Sequence, residues 1–244
     1  VFGHPDLAIV PMTSTIASHL PRATGVAFAI ERTRKLGLPS PWPADAIVVC
    51  SFGDASANHA SALAGVNSAV YAAFQGLPAP VLFVCEDNGI GISVRTPSGW
   101  IEAARHPQIA YFTADGRDLA EVYDAACRAV ELVRGRRRPA LLHLRTVRLM
   151  GHAGSDVESA YRSPREIAAG LARDPLIGTA RLLVEAGLLT PDEVIARYEG
   201  LRAKVLELAD EAAGRPKLTS AAQVTAPLAP RRPDLVAAEV ARAA

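Results

Sequence analysis

Three short runs of apolar residues stand out along the chain: 46–52 (AIVVCSF), 80–85 (PVLFVC) and 139–147 (PALLHLRTV). Runs of this length, rich in β-branched residues and lacking polar alternation, predict strands buried on both faces. Around them the apolar spacing turns helical. Residues 17–35 predict a helix with small apolar residues on one face and Pro21 near its first turn, and residues 59–75 an Ala-rich helix. Residues 118–134 predict a helix ended by Gly135, and 164–172, 176–186 and 191–213 complete the helical pattern. Thr190 before Pro191, with Glu193 three residues on, is a good helix start. Strands separated by helices imply an α/β fold, a parallel sheet with helices on both faces, followed by a C-terminal helical segment.

Charge and composition narrow the partners. Lys and Arg number 26 against 25 Asp and Glu, a formal net charge of +1, which removes the bulk electrostatic case for nucleic acid or an anionic membrane. Half the residues are hydrophobic, too many for general disorder, yet no run approaches the roughly 18 apolar residues of a bilayer span. Cys50, Cys85 and Cys127 are too few and scattered for a disulfide framework, so reduced thiols and a cytoplasmic setting are expected. Cys50 and Cys85 read as small core residues. No signal-peptide pattern follows Val1, and Val-Phe-Gly-His-Pro reads as the start of an internal piece. Residues 214–244, rich in Ala, Pro and Arg, read as a linker or arm with a short helix from Pro233. The expected division is a domain over 1–213 and an arm over 214–244.

In parallel sheets ligands sit at the carboxyl ends of the strands, which directs attention to residues 52–58, 85–92 and 145–156. The first holds Gly53-Asp54-Ala55, where a strand ends and a helix is expected to open, offering N–H groups to an anion and a carboxylate to a cation. Taken alone, Asp after a strand is most often an N-cap. The second holds Glu86-Asp87-Asn88-Gly89-Ile90, with 33 residues between Asp54 and Asn88, enough for one helical crossover. A carboxylate and an amide oxygen from adjacent strand ends can share a hard cation such as magnesium, which keeps positions open for phosphate oxygens. Asp-Asn-Gly is equally a common turn. The third, Gly151-His152-Ala153-Gly154-Ser155-Asp156, places one histidine over the same end of the sheet.

Together the three segments resemble the alpha part of the thiamine diphosphate-dependent 2-oxo acid dehydrogenases. Gly53-Asp54 and Glu86-Asp87-Asn88 resemble the family's Gly-Asp-Gly … Asn-Asn cofactor signature. Residues 151–163, with Ser159-Ala160-Tyr161-Arg162-Ser163, resemble its His-containing active-site loop, and 12–25 its stretch before the first core helix. The resemblance covers about residues 5–213 and implies a thiamine diphosphate-binding fold. It implies Asp54, Asn88 and the carbonyl of Ile90 as Mg2+ ligands, and Gly53 and Ala55 against the diphosphate. Ser14 would border the cofactor, Ile16 would prop its bent conformation, and His152 would reach the diphosphate and the reacting centre.

The implied activity is oxidative decarboxylation of a 2-oxo acid with transfer of the acyl group to a lipoyl-bearing acyltransferase. Part of each active site is expected from a beta subunit or fused beta domain, so the chain alone should be inactive. A hetero-oligomer or a homodimer of fused chains is expected. The Ser159–Ser163 stretch, with Val157 after Asp156, favours a branched-chain substrate such as 2-oxoisovalerate. Pyruvate or acetoin dehydrogenase is the alternative, as is a non-catalytic cofactor-binding remnant. Three departures bear on this: Ala55 stands for the signature's last Gly, Asp87 for its first Asn, and residues 68–80 run about five longer than usual. Ala153 occupies the serine position phosphorylated in animal mitochondrial relatives, so that control is not expected. A dinucleotide-binding reading fails, because Gly89-Ile90-Gly91 lacks the third glycine.

The remaining features read as structural. Residues 134–138 (RGRRR) suggest a solvated turn, Trp42 a cover for the sheet edge or a partner contact, and His59 a helix-terminal role more than a cavity-lining one. Residues 148–163 are expected to be weakly ordered without cofactor.

Overall fold

The computed structural model describes residues 3–4, 6–40, 42–225 and 233–243. The chain forms two compact units, Val1–Ala186 and Gly187–Ala244. The first is built on a four-stranded sheet of β1 (Val48–Gly53), β2 (Val81–Asp87), β5 (Ala110–Asp115) and β6 (Ala140–Arg145). These pair in the order β1-β2-β6-β5, every pair parallel. Beyond β2, Ile90–Gly91 (β3) and Val94–Arg95 (β4) make a small antiparallel hairpin.

The two-residue period of a strand explains the long apolar runs. On β2, Val81, Phe83 and Cys85 pack with α1 (His19–Lys35) and α2 (Ala60–Phe74), while Leu82 faces the cluster formed by Ala125, Ala129 and Val133 of α4 (Leu119–Arg136). Both faces are buried, so both sets of alternating residues must be apolar. The edge strand β1 departs from that expectation. Its Cys50 and Phe52 are buried, but Val49 is 60% exposed beside a groove of about 590 Å3 that Trp42 also lines. Burial pushes the Cys50 thiol up to about 11 and raises Cys85 further still, as befits thiols that serve as core residues.

The fourth strand, β5, and the short helix α3 (Trp100–Ala104) were not predicted from the sequence. β5 lies at the other edge and reads AYFTAD, a mixed pattern with only Ala114 buried, so it lacks the apolar run of a central strand. The helices at 164–172, 176–186 and 191–213 are found as α5 (Pro164–Leu171), α6 (Pro175–Glu185) and α7 (Pro191–Ala213). Within the second unit, the Thr190 and Glu193 side chains form the expected capping box on α7. That unit also contains α8 (Ala221–Thr225) and α9 (Pro233–Ala243), the latter matching the helix expected from Pro233. The proline-rich stretch 226–232 of the expected arm lies outside the described residues.

The RGRRR stretch is not simply a solvated turn, and Gly135 does not end its helix. α4 continues to Arg136, and Arg137 terminates it with φ +53°. Arg137 Nε donates to Glu31 Oε1 at 2.7 Å, while its other nitrogens donate to the carbonyls of Asp45 at 3.0 Å and Ala46 at 2.9 Å. Its own carbonyl accepts the Ala79 N–H at 3.0 Å. One residue thus joins α1, the approach to β1, the approach to β2 and the end of α4. Glu31 is 2% exposed and also accepts from Arg34 at 3.0 Å. Burial pushes its carboxyl up, but the hydrogen bonds from Arg137 and Arg34 outweigh that and hold it below the ordinary glutamate value.

Removing one partner of a buried pair leaves an uncompensated charge. Arg137→Ala is therefore expected to cost about 3 kcal/mol, measured by denaturant unfolding, whereas Arg134→Ala, whose side chain is half exposed, should stay near neutral. Because the folded-state pKa of Glu31 is depressed, its contribution is present above the ordinary glutamate value and lost as pH falls through the lower folded value. Unfolding followed from neutral pH into that acidic window should show a drop in stability that Arg137→Ala flattens.

Candidate functional site

The register of the sheet positions the site. Gly53 at the end of β1 stands opposite Glu86 on β2, so the next residues along each strand, Asp54 and Asp87-Asn88, emerge side by side. The helix expected to open at Asp54 does not begin there. Residues Asp54–Asn58 form a 3-10 turn, and α2 starts at Ala60 with His59 as its N-cap, Nδ1 accepting the Ser61 N–H at 3.1 Å. His59 thus takes the helix-terminal role.

Asp54 is 2% exposed. Its Oδ1 accepts the Asn88 N–H at 3.4 Å, and its Oδ2 accepts the Thr96 hydroxyl in a short hydrogen bond. Asn88 Oδ1 accepts the Ile90 N–H at 3.1 Å, folding residues 88–90 into a tight turn through Gly89 at φ +76°. Ala55 avoids the positive φ that would demand glycine. Its methyl lies where a Cβ on Gly91 would come within 2.5 Å, so the bulk absent at Gly91 accommodates the bulk added at Ala55. The structure thus gathers Gly53, Asp54, Ala55, Asn88 and Ile90 in one place.

The other expected residues lie apart from that hydrogen-bonded cluster. Ser14 and Ile16 occupy the exposed turn before α1, Ile16 being 58% exposed. His19 Nε2 bonds the Ser51 carbonyl at 2.9 Å, which brings the start of α1 to β1. His152 is exposed on the loop after β6, its N–H donating to Asp156 Oδ2 at 2.6 Å. A polar web runs through that loop. Tyr161 donates to Asp156 at 2.5 Å, Arg148 donates to the Tyr161 hydroxyl at 2.7 Å, and the buried Arg162 donates to the carbonyls of Arg148 at 3.2 Å and Glu166 at 3.0 Å. The Tyr161 hydroxyl and the His152 N–H hold the Asp156 carboxyl below its ordinary value.

Further charged residues stand beside this cluster. A cleft of about 250 Å3 beside Asn88 and Ile90 is lined by Arg95, Arg148, Arg162 and Arg173, with Glu166 among them and ion-paired to Arg95. Arg148 Nε is a buried donor without a hydrogen-bond partner. Arg148 also donates to the Ile92 carbonyl at 2.7 Å, fixing a hairpin turn in which Ile92 adopts φ +56°. That conformation costs a β-branched residue about 1–2 kcal/mol, strain of the kind found where surrounding contacts over-determine a functional turn. Four arginines along a cleft could be recognised only once the fold had gathered residues 95, 148, 162 and 173.

Behind the turn, Asp87 Oδ1 accepts the Gly89 N–H at 3.2 Å and Oδ2 accepts from His143 Nε2 at 2.9 Å. His143, on β6, is 0% exposed, and its Nδ1 lies 2.7 Å from the Tyr111 hydroxyl of β5. Burial, together with the Glu102 carboxylate, raises the Tyr111 phenol above its ordinary value, so it remains a donor at neutral pH.

Chemically the cluster offers hard oxygens: one carboxylate, one amide and main-chain carbonyls. Among the described residues no group of three or more His, Cys, Asp or Glu could hold a metal. A divalent cation held here by Asp54 and Asn88 would take its remaining ligands from neutral and phosphate oxygens, and the adjoining arginine-lined cleft suits the anion that would bring them. Among the described residues, no helix is long and apolar enough to cross a membrane.

A family model for the dehydrogenase E1 component matches residues 3–221. The human mitochondrial 2-oxoisovalerate dehydrogenase subunit alpha is 30% identical over 222 residues, which cover 88% of this chain and 47% of that protein. The Bacillus subtilis (strain 168) 2-oxoisovalerate dehydrogenase subunit alpha is 31% identical over 220 residues, covering 88% of this chain and 62% of the relative. The Ascaris suum mitochondrial pyruvate dehydrogenase E1 component subunit alpha type I is 28% identical over 183 residues, 73% of this chain and 43% of the relative. The chain spans about half the length of such relatives. A match over nearly the whole chain, on a parallel sheet whose carboxyl edge carries the Asp54–Asn88 pair, makes this chain a member of the dehydrogenase E1 component family, of the 2-oxo acid dehydrogenase alpha type.

Proposed function

We propose that the chain is the alpha-type part of a 2-oxo acid dehydrogenase that binds Mg2+ and thiamine diphosphate and acts on branched-chain 2-oxo acids. The observation that carries this reading is the meeting of Asp54 with the Asn88–Ile90 turn beside an arginine-lined cleft. Asp54, Asn88 and the Ile90 carbonyl would hold the cation, with the Thr96 hydroxyl orienting the Asp54 carboxylate. Gly53 and Ala55 would let the backbone approach the diphosphate, with the arginines of the adjoining cleft beside it. The bound cofactor supplies the electron sink for loss of carbon dioxide from the 2-oxo acid.

Ser14 and Ile16, from the turn before α1, would border the cofactor. His152, on the loop held by Asp156, Tyr161 and Arg162, would orient the diphosphate or hold a proton near the reacting centre. A beta subunit or fused beta domain would complete the site, so the chain alone would be inactive, and a lipoyl-bearing acyltransferase would receive the acyl group. In this reading residues 1–213 form the cofactor-binding part, 214–244 an arm, and the working enzyme is a hetero-oligomer or a dimer of fused chains. The free thiols of Cys50, Cys85 and Cys127 accord with a cytoplasmic location. The branched-chain preference rests on the Ser159–Ser163 stretch and on the similarity to 2-oxoisovalerate dehydrogenase alpha subunits.

Calorimetric titration of thiamine diphosphate with magnesium, run with a beta-type partner present, is the direct test. Asp54→Ala is expected to weaken binding by about a hundredfold or more, since a first ligand should matter at least as much as the groups that orient it; an unchanged affinity would remove Asp54 from the site. Where both forms fail to bind, the non-catalytic remnant becomes the better reading. In the reconstituted enzyme, kcat/KM for 2-oxoisovalerate should exceed that for pyruvate by about tenfold or more, the usual worth of extra methyl groups in an apolar pocket. A preference for pyruvate would reassign the substrate class.

A further inference from the structure

Asp87 stands where the family signature has an asparagine, and it brings a second carboxylate to the strand end that already carries Asp54. The structure gives that charge another task. Both Asp87 oxygens are engaged, Oδ1 by the Gly89 N–H at 3.2 Å and Oδ2 by His143 Nε2 at 2.9 Å. A carboxylate can only accept, so Nε2 carries a ring proton, while Nδ1 lies in hydrogen-bond contact with the Tyr111 hydroxyl at 2.7 Å. Glu102 Oε1 is 3.5 Å from the same Nδ1, farther than Tyr111. The three residues lie on adjacent strands β5, β6 and β2, where the register sets Thr113, His143 and Cys85 in one row. Tyr111 and Asp87 are each two positions from that row, so their side chains share its face. His143 is fully buried, and a buried imidazole is retained in a core only when both nitrogens are satisfied.

We infer that Tyr111, His143 and Asp87 form a buried relay that positions the Asn88–Ile90 turn, so that Asp87 acts as a positioning residue and not as a ligand of the cation. The relay fixes the Asp87 carboxylate, the carboxylate holds the Gly89 N–H, and Gly89 is the pivot that presents the Asn88 amide and the Ile90 carbonyl. His143 also holds the added negative charge away from Asp54. Its loss would leave Asp87 short of a donor and free to compete for the cation. The inference rests on the proposed cofactor site, and its test separates the two.

The probe is thiamine diphosphate with magnesium, titrated calorimetrically into the chain with its beta-type partner, alongside imidazole NMR of the chain alone. His143→Leu is expected to weaken binding by about 10–100-fold, the usual effect of losing a hydrogen bond behind a metal ligand. His143→Gln, whose amide can still donate to Asp87, should recover affinity to within about threefold of the native chain, and the double variant His143→Leu/Asp87→Asn should regain part of the loss. Tyr111→Phe keeps the ring, should fold as the parent does, and is expected to shift the His143 Nε2–H resonance and weaken binding to a smaller extent. Equal losses for Leu and Gln would reduce His143 to packing and overturn the relay. So would a Tyr111→Phe chain with native affinity and an unshifted resonance, a result that decides the matter even if the Leu variant does not fold. A native chain that binds no cofactor would overturn the proposed function together with the relay, whereas native binding unaffected by these variants would overturn the relay alone.

Discussion

Parallel pairing of β1 with β2, with Gly53 opposite Glu86, is the constraint on which the candidate site depends. Parallel strands end at the same edge, and the side-chain period of two decides which residues share a face. A slip of one position would turn Asp54 away from Asn88 and reverse every apolar residue of β1 relative to the helices that cover it. The register is secured on the α1/α2 side, where Cys50 and Phe52 of β1 join Val81, Phe83 and Cys85 of β2 in one buried cluster. The polar site is therefore positioned by the apolar core beneath it.

A second requirement is that the loops at the opposite, amino-terminal edge stay closed. Glu31 and Arg137 do this by joining α1 to the end of α4 and to the carbonyls that precede β1. A buried carboxylate is costly unless its lone pairs are filled. Here two arginines fill them, and the guanidinium of Arg137 has donors left over for the main chain. The positive φ at Arg137 is sustained because four separate partners hold that residue in place.

The departures from the family signature fit their immediate surroundings. Ala55 is accommodated because residue 91 is glycine. Asp87 is accommodated because His143 and the Gly89 N–H take its two oxygens. Each site residue was visible in the sequence, but its neighbour lies 36 or 56 positions further along the chain, and the contact exists only after strands pair. The loop over 148–163 is tied in the same way to a distant partner, Arg148 donating to the Ile92 carbonyl 56 positions earlier.

The sequence by itself determined the class of fold, the central strands, most helix limits and the helix cap at Thr190. It also marked the strand ends whose residues Asp54 and Asn88 meet in the structure. Those features depend on local period, on capping chemistry and on apolar runs, all of which act over a few residues. Tertiary structure alone decided the edge strand β5, the role of Arg137, the Thr96 and arginine complement of the site, and the Tyr111–His143–Asp87 chain. An edge strand needs no continuous apolar run, because one side is left to solvent. A charged or polar side chain declares its function only when folding removes water and presents the one partner that can replace it.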